Sequence, residues 1–275
     1  MLEGRSGVMP SDRPNALYKS ILAYDGTEFR GFQRQAADQR TVQQVVEKAL
    51  RQLGWEEQSL SAAGRTDSGV HARGQVVCFR LQWNHSPDDL TRALNALMPA
   101  DVAVWGTETC PEGFHPRFSA ISRHYRYTLI TVPHRDPLRE RFAWRVWPEP
   151  DLDAMHEEAD SLMGQHDFAA FGRAPRPGGS TVREVYRANW RSQQEVCRFD
   201  IVANGFLFRM VRRVVAAMVE VGLGRAESGE IARCLQSPKR GWEKGLAPAS
   251  GLCLQSVSYD PAETGEAAEE ITPEA

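Results

Sequence analysis

Short strand-like segments and amphipathic helix-like segments alternate in two successive rounds along the chain, and this order constrains the fold most strongly. In the first round the predicted strands are residues 18–24, 76–81 and 102–107, with helices from Thr41 and near Ser86. In the second round the predicted strands are residues 125–132, 185–190, 196–203 and 252–259, with helices at 152–163, 210–221 and 231–235. The pattern predicts an α+β protein in which two related halves, residues 15–112 and 113–259, carry antiparallel sheets around a central basic cleft.

Capping signals support the predicted helix starts. Thr41 is a good N-cap residue, and Gln44 stands three positions later, where a capping box has its second member. Pro87 follows Ser86 and suits the first position of the second helix. Asp151 is placed to cap the third helix.

The two ends of the chain differ in composition from the rest. Residues 1–14 are polar and lack the apolar stretch of a signal peptide, so we expect a flexible leader. Residues 260–275 hold six acidic residues and no basic one, and we expect a disordered acidic tail. Without those six charges, the net charge of −3 becomes +3 for residues 1–259.

The cysteines and the hydrophobic pattern indicate a cytoplasmic protein. The five cysteines are odd in number and include no C-x-x-C pair, which favours free thiols over disulfides or a zinc site. The sequence has no apolar run long enough to cross a bilayer. No group of residues has the spacing of metal ligands, so we expect no metal.

A segment punctuated by glycines, residues 64–76 with the sequence GRTDSGVHARGQV, presents one carboxylate just before a predicted strand. Arg65 and Arg73 flank Asp67, and an adjacent arginine would keep the carboxylate ionised and restrict its orientation. An ionised, oriented carboxylate can act as a nucleophile or a general base. The same residues also suit a surface turn in which Asp67 caps the backbone and Arg65 forms an ordinary salt bridge.

This segment closely resembles the G-R-T-D-x-G-V-H signature of the TruA family of tRNA pseudouridine synthases. Four further segments resemble family motifs in the same order: YDG with GFQRQ within 24–35, FHPRFSA with RHYRY within 114–127, NGFLFRMVR at 204–212, and APASGL at 247–252. The resemblance extends over roughly residues 18–259. The departures are modest, since Phe32 stands where tryptophan is more usual and Ser68 where alanine is frequent.

The resemblance implies an isomerase that converts uridine to pseudouridine in tRNA without a cofactor. It places Asp67 at the catalytic aspartate, Arg65 at its paired arginine, and Tyr125 at the tyrosine that contacts the target uracil. It places Arg212 at a second active-site arginine. A charge on the apolar helix 210–221 needs a partner, and Asp67 is the partner that we predict for Arg212. The resemblance also implies a homodimer and target uridines at tRNA positions 38, 39 and 40.

Arginines interleaved with aromatic residues between Phe114 and Trp147 predict an RNA-binding surface. The arginines of this stretch are Arg117, Arg123, Arg126, Arg135, Arg139, Arg141 and Arg145. We expect RNA contacts from Arg117, Arg123, Arg126 and Arg73, and we expect His71 to be structural or to contact RNA. Arg209, Arg212 and Arg213 form a second basic cluster. A pair of strands with alternating charged and core faces would explain about half of the stretch.

Two alternatives remain open from the sequence alone. The first is a related synthase that acts on a different RNA or a different tRNA site. The second is an RNA-binding protein without catalysis, although the joint presence of Arg65, Asp67 and Tyr125 argues against it.

Overall fold

The structure is a computed structural model that describes residues 15–36, 39–238, 241–242 and 244–264. Its strands are β1 (Asn15–Tyr24), β2 (Ser61–Ala62), β3 (His71–Gln82), β4 (Val102–Thr109), β5 (Ser122–Ile130), β6 (Trp144–Arg145), β7 (Gly164–Asp167), β8 (Val182–Gln193), β9 (Val196–Ala203) and β10 (Leu252–Ser258). Its α-helices are α1 (Val42–Gln52), α2 (Pro87–Leu97), α3 (Leu152–Asp160), α4 (Met210–Gly222) and α5 (Glu230–Gln236).

One sheet contains all ten of these strands. Its main order is β4-β1-β3-β10-β5-β9-β8-β7, with β2 paired to β3 and β6 paired to β5. The pairs are antiparallel except β3–β10 and β5–β6, which are parallel. The predicted α+β class is therefore confirmed, with the antiparallel sheets of the two halves joined edge to edge by the β3–β10 pair. The predicted boundary at residues 112 and 113 lies between β4 and β5 and stays a prediction.

A continuous hydrophobic core contains residues from both halves, including the buried faces of α1, α2, α3 and α4. Helix α4 is the most apolar of them, and Val214, Val215 and Met218 are fully buried. Full burial of a side chain of this size stabilises the fold by about 1.5–3 kcal/mol. Because α4 is fixed in the core, a polar side chain at its start has a well-defined position.

The helix starts agree with the predicted caps, and the largest error in a boundary is at the start of β3. The Thr41 hydroxyl accepts a hydrogen bond from the Gln44 amide at 3.4 Å, and Ser86 forms a capping box at the start of α2. Strand β3 begins at His71 rather than at residue 76, because Ala72 and Gln75 pair with β1 and His71 pairs with Cys253 of β10. This partner is nearly two hundred residues away, and no local pattern predicts it. Helix α3 ends at Asp160, before the predicted residue 163.

The predicted acidic tail begins with a short turn in the structure. Pro261–Thr264 form a short 3-10 turn after β10. Just before it, the Tyr259 hydroxyl donates a hydrogen bond to the Pro116 carbonyl at 2.8 Å. The predicted leader, residues 1–14, and the rest of the tail, residues 265–275, lie outside the described residues. Among the residues that the structure describes, no helix has the length and apolar character needed to cross a membrane.

Candidate active site

Asp67 lies in a loop between β2 and β3, residues 63–70, which we name the Asp67 loop. The segment after β1 holds this loop by main-chain hydrogen bonds. The Phe32 amide donates to the Thr66 carbonyl at 3.0 Å, and the Gly69 amide donates to the Phe29 carbonyl at 3.3 Å. The first family-like motif therefore supports the loop that carries the carboxylate.

Two glycines of the same segment allow this close approach. A Cβ atom on Gly26 would lie 2.1 Å from the Val70 carbonyl oxygen, a distance that no side chain tolerates. Gly31 has a φ of +95°, and its Cβ would lie 3.1 Å from the Thr66 carbonyl oxygen. Only glycine satisfies both the backbone conformation and the contact at residue 31.

Arg212, in the first turn of α4, forms the predicted ion pair with Asp67. Its Nη1 donates to Asp67 Oδ2 at 3.0 Å, and its Nε donates to the Ala247 carbonyl at 2.7 Å. The two side chains are only 12% and 18% exposed, so solvent screens this pair weakly. Among the hydrogen bonds of the described residues, none involves Asp67 Oδ1. One carboxylate oxygen is thus held and the other remains available.

Tyr125 on β5 lies beside this pair. Its ring is buried and meets the ring of Phe206 edge-on, with the two centroids 5.0 Å apart. Burial raises the pKa of the Tyr125 phenol above its usual value, and the neighbouring Tyr24 and the charge of Asp67 raise it further. The phenol therefore stays protonated and can offer a hydrogen-bond donor next to the carboxylate.

Arg65 and Arg73 do not hold the carboxylate. Arg65 is exposed, and in the part of the chain that the structure describes it forms no ion pair with Asp67. Arg73 is also exposed, and its guanidinium lies 5.6 Å from the centre of the Trp105 ring. The arginine that binds Asp67 is therefore the predicted Arg212 of α4, and the flanking arginines that we also expected to hold the carboxylate do not.

His71 lies inside the fold, an arrangement that favours the structural one of its two expected roles. It is buried, and its Nδ1 accepts a hydrogen bond from the Gly26 amide at 3.0 Å. The same nitrogen lies 3.2 Å from Asp25 Oδ1, and the Phe142 ring packs at 5.0 Å. Burial lowers the pKa of His71, so the neutral ring accepts the amide hydrogen bond at neutral pH.

The predicted RNA contacts of Arg123 and Arg126 are not supported. The Arg123 guanidinium donates to four main-chain carbonyls, and burial lowers its pKa. The Arg126 guanidinium binds both carboxylate oxygens of Asp200, at 2.9 and 3.2 Å. Since Arg123 binds carbonyls and Arg126 binds a carboxylate, neither offers a free fork to a phosphate.

The four later arginines of the predicted RNA-binding stretch also have acidic partners. The pairs are Arg135 with Glu140, Arg139 with Glu195, Arg141 with Asp25, and Arg145 with Glu140. Two of these three acids, Glu195 and Asp25, are distant in the sequence, so counting nearby acids overestimates the free positive charge. Arg117 alone keeps the predicted character, with its guanidinium 5.6 Å from the exposed Phe118 ring.

Two arginine groups without ion pairs in the described residues lie close to the predicted site. In the first group, burial lowers the pKa of Arg183, and the charge of the nearby Arg117 lowers it further. In the second group, burial lowers the pKa of Arg213, and the charges of Arg209 and Arg173 lower it further. Arg173 and Arg183 were not predicted from the sequence, because each stands alone in its own segment.

The chain belongs to the tRNA pseudouridine synthase family, a class of isomerases that convert uridine in tRNA to pseudouridine. The sequence model of this family matches residues 21–119 and 159–260. Curated relatives carry the more specific name tRNA pseudouridine synthase A. The relative from Geobacter sp. is 39% identical over 242 residues, which is 88% of this chain and 98% of the relative. The relative from Chlorobaculum tepidum is 42% identical over 250 residues, which is 90% of this chain and 99% of the relative.

Proposed function

We propose that this chain isomerises uridines at positions 38, 39 and 40 of the tRNA anticodon stem-loop, with Asp67 as the catalytic nucleophile or base. The observation that carries the proposal is the Arg212–Asp67 pair beside the Tyr125 ring, formed by residues of both halves. The reaction breaks the N1–C1′ bond, turns the uracil and rejoins it through C5. It involves no redox change and no external group, so one oriented carboxylate meets its chemical requirement without a cofactor.

Each of the three residues has a distinct role in the proposed reaction. Asp67 Oδ1 attacks the ribose at C1′ while the N1–C1′ bond breaks and the uracil leaves as an anion, or it adds to the C5–C6 double bond of the uracil ring, or it removes the ribose C2′ proton so that the base leaves as an anion. Arg212 holds Oδ2 and fixes the direction of the attacking oxygen. The Tyr125 ring supports the detached uracil, and its protonated hydroxyl donates a hydrogen bond to it.

The target base has to leave its stack before it reaches Asp67, at a cost of a few kcal/mol. The exposed Arg65, two residues from Asp67, contacts the displaced nucleotide in this proposal. Arg117 with Arg183, and Arg173 with Arg209, supply unneutralised positive charge for the phosphates on either side. The exposed Phe118 and Phe208 rings, each beside an arginine, suit stacking on unpaired bases.

We further propose that the protein acts in the cytoplasm as a homodimer, in which one subunit holds the tRNA body while the other modifies it. The family resemblance supports this assembly. Sedimentation equilibrium with and without tRNA measures it, and a monomer that remains fully active at nanomolar concentration would contradict it.

Release of tritium from tRNA labelled at uracil C5 tests the reaction, because C5 loses its hydrogen when it bonds to C1′. We expect release from wild type and none from Asp67→Ala, with tRNA affinity nearly unchanged. Pseudouridine mapping of the treated tRNA then identifies the modified positions. Modification outside positions 38–40 would indicate a synthase with another target. Tight tRNA binding without release would indicate an RNA-binding protein.

A further inference from the structure

Arg123 makes an unusual set of hydrogen bonds at the base of the proposed site. Its Nη1 donates to the carbonyls of Asn204 at 2.9 Å and Ala120 at 3.2 Å. Its Nη2 donates to the carbonyls of Arg117 at 2.6 Å and Ala63 at 3.2 Å. Four of its five N–H groups are thus committed to the main chain, and the charge strengthens each bond.

The bond to Ala63 fixes the start of the Asp67 loop. The Ala63 amide donates to the Val76 carbonyl of β3 at 2.8 Å, while its carbonyl accepts from Arg123 on β5. The next carbonyl, that of Gly64, accepts from the Gln75 side chain at 3.1 Å. Arg123 is therefore a side-chain link from the strand that carries Tyr125 to the loop that carries Asp67.

The bond to Asn204 fixes the other side of the site. The Asn204 amide donates to the Glu184 carbonyl at 3.0 Å, and its side-chain oxygen accepts from the Glu184 amide at 3.2 Å. Two residues later, Phe206 meets the Tyr125 ring edge-on at 5.0 Å. The same guanidinium therefore holds Ala63, at the start of the Asp67 loop, and Asn204, two residues before Phe206 of the aromatic pair.

We propose that Arg123 is a positioning residue, which sets the distance between the Asp67 carboxylate and the Tyr125 ring by clamping Ala63 and Asn204 to β5. The inference rests on the proposed roles of Asp67 and Tyr125. A displacement of about 1 Å between reacting groups lowers a rate by about 100-fold. Loss of the clamp therefore lowers the rate of the chemical step more than it weakens tRNA binding.

The test compares Arg123→Met, which removes every donor, with Arg123→Lys, which keeps the charge and some donors. Single-turnover rates at saturating enzyme report the chemical step, and filter binding reports tRNA affinity. For Arg123→Met we expect about a 100-fold slower chemical step with an affinity within about threefold of wild type. Arg123→Lys is expected to recover about a tenth of the wild-type rate, because ammonium donors reach only part of the carbonyl set.

Arg233→Met is the matched control. Arg233 also donates to main-chain carbonyls, those of Ser228 at 2.8 Å and Glu227 at 3.1 Å, but none of its hydrogen bonds involves the Asp67 loop or β5. We expect this variant to lose thermal stability and keep the wild-type chemical rate below its melting temperature. Equal loss of rate in Arg233→Met and Arg123→Met would show general destabilisation and overturn the proposal.

Amide hydrogen exchange measures how firmly Arg123 holds the two segments, independently of activity. In Arg123→Met we expect faster amide exchange in residues 63–70 and 204–208, and in Arg233→Met we expect wild-type exchange there. Unchanged exchange in Arg123→Met would overturn the proposal, as would weaker tRNA binding with an unchanged chemical rate. If wild type forms no pseudouridine, the proposed function fails, while the exchange result still decides whether Arg123 clamps the two segments.

Discussion

At the scale of single residues, the site depends on one guanidinium and one carboxylate that stand 145 positions apart in the sequence. Residue types and a family resemblance identified both, and the need of a charged side chain on an apolar helix for a partner identified their pairing. The expectation for Arg65 was wrong. Its closeness to Asp67 in the sequence suggested an ion pair, which the described residues do not form. A charged residue next to Asp67 in the sequence therefore predicts its ion-pair partner less well than a charged residue on a buried helix does.

Replacement of Arg212 by methionine tests the pair. Asp67 would lose the donor that fixes Oδ2, so we expect the chemical step to slow by about 100-fold or more, with tRNA affinity reduced much less. Single-turnover tritium release measures this effect. Arg225→Met is the control, since Arg225 forms an exposed ion pair with Glu220 near the other end of α4. A fully active Arg212→Met enzyme would show that this arginine is peripheral.

At the scale of elements, hydrophobic periodicity and capping residues predicted the helices well, because both signals are local. Three short strands, β2, β6 and β7, escaped prediction, since two to four residues carry no period. The early start of β3 was also not predicted, because its first residue pairs with the last strand and its pairing with β1 continues past a register shift. This error matters, because the structure places His71 and Arg73 in a strand, whereas the sequence predicted a loop with RNA contacts there.

The segment after β1 offers an element-scale prediction through Gly31. Alanine there adopts an unfavourable left-handed conformation, at a cost of about 1–2 kcal/mol, and its Cβ presses on the Thr66 carbonyl. We expect Gly31→Ala to shift the Asp67 loop and to lower the chemical rate well below that of wild type. Single-turnover tritium release measured well below the melting temperature tests this effect.

Gly54→Ala is the matched control for Gly31→Ala. Gly54 has nearly the same φ, +92° against +95°, but nothing lies within 4 Å of its Cβ position. Both variants carry a similar backbone cost, so thermal melting should detect both, whereas only Gly31→Ala should lose activity. Equal activities for the two variants would mean that the contact with the Asp67 loop does not influence catalysis.

At the scale of the whole molecule, two buried histidines predict lower stability in mild acid. Burial lowers the pKa of His71, which faces Asp25 and Arg141, and of His124, which faces Asp200, Arg126 and Arg187. Below about pH 6.5 the unfolded chain binds protons that the folded chain resists, so the free energy of unfolding falls as the pH falls. Each histidine contributes a slope of up to about 1.4 kcal/mol per pH unit.

Urea unfolding between pH 7 and pH 5 measures this slope, and His71→Gln should reduce it. A free energy of unfolding that is flat or rises towards pH 5 would contradict the assignment. A separate loss is expected in stronger acid, because hydrogen bonds from His124 and Arg126 outweigh burial and lower the pKa of Asp200 to about 2. Its stabilisation is present above about pH 4 and disappears as the pH falls towards 2.

The distribution of charge over the whole molecule was the least predictable property. Arg141 pairs with an acid 116 positions away and Arg139 with one 56 positions away. These pairs depend on how distant segments meet in the fold, and local sequence patterns did not predict the sheet order. Among the described residues, the arginines that form no ion pair are scattered, with Arg117 and Arg123 from the motif at 114–127 and others from separate segments.

The salt dependence of tRNA binding distinguishes neutralised from free arginines. A side chain that contacts a phosphate releases about one counterion, so its loss reduces the slope of log affinity against log salt by about one. We expect this reduction for Arg117→Gln and for Arg209→Gln, whose guanidinium groups form no ion pair in the described residues. Arg139→Gln should leave the slope unchanged, because Glu195 already neutralises Arg139 at 3.0 Å. If Arg139→Gln reduced the slope as much as Arg117→Gln, tRNA would displace Glu195, and the binding surface would extend across the whole arginine-rich stretch.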